Sequence, residues 1–62
     1  MKITFNRHLH PDDFLEAVEH LRDALGLEIS ITDPAGQVMD VSDQTFDHME
    51  KAGCDVKPVV EG

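Results

Sequence analysis

Apolar residues recur along this chain with two different periods, and the switches between them mark out its elements. From His10 to Gly26, Phe14, Ala17, Val18, Leu21, Ala24 and Leu25 return every three or four residues. That spacing puts them on one stripe of a helix. Glu16, Glu19, His20, Arg22 and Asp23 fall on the other side. Pro11 suits the first helical position, where its missing N–H costs nothing. With His10 as N-cap, Leu9 and Phe14 form a hydrophobic staple. Asp12 and Asp13 then occupy the first turn, where the helix dipole favours negative charge. Gly26 suits the left-handed position after the last turn, with Leu27 folding back on Leu21 or Arg22.

The stretches on either side alternate with period two. Ile3 and Phe5 share a face opposite Lys2, Thr4 and Asn6, which predicts a strand over residues 2–7. Leu27, Ile29 and Ile31 alternate with Glu28, Ser30 and Thr32, a strand with one buried face. Asp33-Pro34-Ala35-Gly36 is a turn, with proline presetting φ and glycine permitting closure. Gln37 to Val41 returns as a strand with Met39 and Val41 inward, completing a hairpin. Ser42 caps a second, shorter helix that Gly53 ends. Val41 and Phe46 form its staple, Phe46, Met49 and Ala52 its narrow apolar stripe, and Asp47 and Lys51 an i,i+4 pair. Residues 54–62 form either an edge strand, to which Pro58 confines them, or a frayed tail.

The predicted order is β-α-β-β-α with a final β: an α+β domain with a single antiparallel sheet and two helices on one face. Its full version resembles the split βαβ arrangement of ferredoxin-like folds. The open face would then show Lys2, Thr4, Glu28, Ser30, Thr32, Val38 and Asp40. RNA-recognition motifs of that fold stack bases on aromatic residues, and the return strand here has none. Metal carriers of that fold use Cys-x-x-Cys after the first strand, where this chain reads Arg7-His8-Leu9-His10. Residues Leu27 to Met49 also resemble the opening of a PAS sensor domain, through strand, D-P-x-G turn, strand and serine-capped helix. That resemblance is local and carries over no binding residues.

At 62 residues the chain is one domain, 1–62, of modest expected stability. Its 40% hydrophobic content supports a folded core rather than a disordered tail. The single Cys54 excludes an internal disulfide and fits a reducing compartment. No apolar run approaches the ~18 residues of a membrane span, and MKITFNRH reads as a strand rather than a signal segment, so a cytoplasmic protein is expected.

Charge changes the picture most. Thirteen acidic residues against five basic ones give a formal net charge of −8. Direct binding to nucleic acid or to an anionic membrane is disfavoured, because both rely on Lys and Arg. A basic protein surface, such as that of a nuclease or another nucleic-acid-binding complex, is the favoured partner, against plain solubility as the alternative. The candidate contact residues are Asp12, Asp13, Glu16, Glu19 and Asp23 on the first helix, with Asp43, Asp47 and Glu50 as a second patch. The first group either is a solvated face or mimics phosphates for a basic groove. In size and acidity the chain resembles anti-defence proteins of phages and mobile elements, among them anti-CRISPR proteins and DNA mimics. That resemblance implies a stoichiometric inhibitor.

Two other classes stay open. His8 and His10, followed by Asp12 and Asp13, could hold zinc or nickel. Otherwise His10 caps the helix and His8 is solvated. The chain could also pair with a second copy through its open sheet face or the edge bearing Pro58, as a homodimer. Catalysis has no support: no nucleophile elbow, phosphate loop or paired-cysteine motif is present. Cys54 after a helix C-terminus reads as a small hydrophobe rather than a nucleophile, and Met39 and Met49 as core filling.

Overall fold

The computed structural model describes residues 1–60. The elements are β1 (Lys2–Phe5), α1 (Pro11–Leu25), β2 (Ser30–Asp33), β3 (Val38–Asp40), α2 (Asp43–Lys51) and β4 (Val56–Pro58). The sheet order is β2-β3-β1-β4, with every neighbouring pair antiparallel. It follows that β1 and β2 run parallel with β3 inserted between them, and β3 and β4 run parallel around β1. Two interleaved split βαβ units result, the arrangement of ferredoxin-like folds.

The register sorts the side chains. Ile3 faces Met39, which faces Ile31, and Phe5 faces Val56. This row joins Phe14 and Val18 of α1 and Met49 of α2 in one buried cluster, so both helices cover the same face. Phe5 and Phe14 meet edge to face at 5.9 Å between ring centres, a geometry that aromatic quadrupoles favour. Leu9 and Phe46 pack against the same cluster, as the two staples require. The opposite face carries the row Lys2, Asp40 and Ser30.

Both helices start on their expected caps. Ser42 Oγ accepts from Thr45 N–H at 3.1 Å. At the far end of α2, Gly53 takes φ 83°. Cys54 N–H reaches Met49 O at 2.9 Å, and Gly53 N–H reaches Glu50 O at 3.1 Å. These two bonds are a Schellman motif, which satisfies carbonyls the helix would leave open.

Several expectations need correction. Ala24 and Ala52 are exposed rather than part of the apolar stripes. Ala24 lies about 100° around the helix from Leu25, and Ala52 is the C-cap of α2. The second strand begins at Ser30 and not at Leu27, although Leu27 and Ile29 stay buried. Val41 would face Ile29, and beyond it Ser42 turns into α2, so β3 has nothing further to pair. The Ile29 carbonyl instead accepts Arg22 Nε at 3.0 Å and Arg22 Nη2 as well. The first strand ends at Phe5, yet Asn6 N–H still donates to Asp55 O at 3.0 Å. Residues 54–60 are no frayed tail: β4 lies on the β1 edge, and Val59 N–H donates to Lys2 O at 2.9 Å. Positions 61 and 62 lie outside the described residues.

The hairpin turn closes differently from the expected way. Asp33 Oδ1 accepts Gly36 N–H at 3.1 Å, as its position suggests. The left-handed residue, however, is Gln37, at φ 56°. At Gly36 the approach is close: a Cβ there would stand 2.7 Å from Asp33 Oδ2, so a side chain would have to displace that carboxylate. Gln37 is also the one buried polar side chain among the described residues, at 2% exposed. Its Oε1 accepts Leu9 N–H at 2.9 Å, and its Nε2 donates to Leu9 O. Its own carbonyl accepts Thr4 Oγ1 at 3.0 Å. One side-chain amide thus stands in for a strand, pairing both backbone groups of Leu9 just before α1.

Gln37→Met keeps the side-chain length and the backbone conformation but strands both Leu9 groups. It is expected to cost about 1–3 kcal/mol in urea unfolding and to speed hydrogen exchange at the Leu9 amide. Unchanged stability would mean that the clamp contributes nothing.

Candidate functional site

On an α-helix of about 100° per residue, Asp12, Glu16, Glu19 and Asp23 fall on a single line, spaced four, three and four residues apart. That line runs opposite the buried stripe of Phe14, Val18, Leu21 and Leu25. All four side chains are exposed, as is Asp13 on the flank. The stripe spans about 16 Å at 1.5 Å per residue. Among the described residues none of these five carboxylates makes an ion pair. A shallow open groove runs beside them, lined by Asp13, Glu16, Ala17, Glu19, His20 and Asp23.

Arg22 would be expected to interrupt this surface. Instead its guanidinium is turned toward the sheet, onto the Ile29 carbonyl. The one arginine of α1 is therefore engaged in holding the loop before β2, and the stripe keeps its charge. His20 does border the groove. On the other flank Leu15 is 49% exposed, an apolar side chain beside the acids.

Fold stability alone does not call for this pattern. Like charges at i,i+3 and i,i+4 each cost a helix about 0.2–0.5 kcal/mol. Asp12 and Asp13 gain from the dipole at the N-terminus, but Asp23 stands in the last turn, where the dipole opposes a carboxylate.

The second patch is weaker. Asp43, Asp47 and Glu50 also share a line on α2 and are exposed. Asp47, however, pairs with Lys51 at 2.9 Å, both largely exposed. The hydrogen bond and the charge of Asp47 raise the Lys51 ammonium above its usual pKa. One of the three carboxylates is thereby offset.

His8 and His10 are both exposed in the loop between β1 and α1. His10 is the N-cap of α1, and its Nδ1 accepts Asp12 N–H at 3.3 Å. A metal on Nδ1 would take that lone pair. A metal on Nε2 would leave the proton on Nδ1, so either mode competes with the cap. Among the described residues no group of three or more His, Cys, Asp or Glu side chains is placed to hold a metal. Cys54 is half-buried and free. Its thiol is pushed up by burial. No helix among the described residues is long and apolar enough to cross a membrane.

Sequence reasoning missed Gln37 and the orientation of Arg22. A signal for Gln37 was present: it shares the parity of Met39 and Val41, so the alternation aims a polar side chain inward, where it must find partners. Nothing in the pattern marked Arg22. Comparison with protein-family models, curated proteins and solved structures finds no match.

His10→Ser installs a stronger N-cap. It is expected to leave the domain folded and at least as stable by thermal unfolding monitored by circular dichroism. A fall in stability would assign His10 a further role in the loop. Cys54 should react with iodoacetamide at pH 8 more slowly than in the urea-unfolded chain, because a raised thiol pKa leaves less thiolate. The sign for stability follows: the folded state favours the neutral thiol, so its contribution is present below the unfolded pKa and is lost as pH rises through the folded one. Equal rates in both states would contradict the effect of burial.

Proposed function

We propose that this chain is a small non-enzymatic binding module that docks α1 onto a basic protein surface and occupies it stoichiometrically. The observation that carries the reading is the uncompensated acidic stripe of Asp12, Glu16, Glu19 and Asp23. It lies on the helix face opposite the core, and Arg22 is turned away from it onto Ile29 O. Carboxylates in a straight row offer a basic groove a regular series of charge-assisted hydrogen-bond acceptors. Asp13 widens the row, and Leu15 gives the contact an apolar margin. Asp43, Asp47 and Glu50 add a long-range field that steers approach rather than a second contact.

The partner class follows from the charge. A surface that binds nucleic acid presents Lys and Arg at phosphate spacing, and a competing acidic helix would block it. In its sharpest form the protein is an inhibitor of a nuclease or another nucleic-acid-binding complex, of the kind used against host defence. The placement of Asp23 in the last turn and the like-charge spacing support a surface kept for binding at some expense in stability.

The test is capture from a lysate of the source cells, with wild-type protein beside a Glu16→Lys/Glu19→Lys variant. Wild type is expected to retain a basic nucleic-acid-binding protein that is released as salt rises, and the variant to lose it. Equal capture by both would show that α1 is not the interface. Independently, Asp23→Arg is expected to raise stability by about 0.5–1 kcal/mol in urea unfolding. A loss of stability would remove the argument from misplaced charge.

A further inference from the structure

We draw no further inference here: the strongest candidate, the helix-free face of the sheet where the row Ser30, Asp40 and Lys2 lies beside the pair Thr4 and Lys57, is an unpartnered surface, and nothing in the structure shows what covers it.

Discussion

The rest of the structure depends on the pairing of the Gln37 side chain with the backbone of Leu9. Between Phe5 and Pro11 the chain must leave the sheet, turn and enter a helix, and a half-buried loop of that kind exposes peptide groups to an apolar interior. The Gln37 amide satisfies both groups of Leu9 at once. It does so from a hairpin turn whose left-handed backbone a non-glycine residue must adopt against preference. The same residue accepts Thr4 Oγ1 on its carbonyl. The β2–β3 turn, the end of β1 and the start of α1 are thereby fixed to one another. With Leu9 fixed, its side chain staples onto Phe14, His10 falls at the cap, and the phase of α1 is set. The side of the helix that carries acid follows from that phase.

Much of this was legible in the sequence, for reasons that can be named. The helices were readable because period, cap and stop agreed: Pro11, Gly26, Ser42 and Gly53 each do the local work their chemistry suggests. The inward set of Ile3, Phe5, Ile31, Met39 and Met49 was readable because burial follows the period. Strand ends were less so. Leu27 and Ile29 alternate as a strand would, but a strand also needs a partner, and whether β3 reaches that far is a tertiary matter. The alternation aims Gln37 inward but does not name its partner, and nothing in the pattern marks Arg22. Each contact is made with a backbone group distant in sequence, and no periodicity reports on that. The candidate site was legible as a set of residues but not as a surface. Only the structure shows that Asp12, Glu16, Glu19 and Asp23 stand in line without a paired cation among the described residues, whereas Asp47 is paired.

Taken together, the charges describe a domain whose surface is not arranged for its own stability. A chain of this size has a small core and little stability to lose. Even so, it keeps a row of like charges along its longest helix and a carboxylate at that helix's negative end, while the arginine of that helix, Arg22, serves the loop before β2. An acidic coat for solubility would be satisfied by acids placed anywhere. A straight, uncompensated row on one helix face is the arrangement that a basic groove can read.

Carboxylate labelling measures that idea directly. The protein is exposed to carbodiimide and an amine nucleophile, alone and in a lysate of its source cells, and the modified positions are read by peptide mass spectrometry. Docking through α1 predicts that Asp12, Glu16, Glu19 and Asp23 become protected in the lysate while Asp43 and Glu50 react as before. Labelling of the α1 row at the same rate in both conditions would contradict the account and leave its acidity as solubility alone.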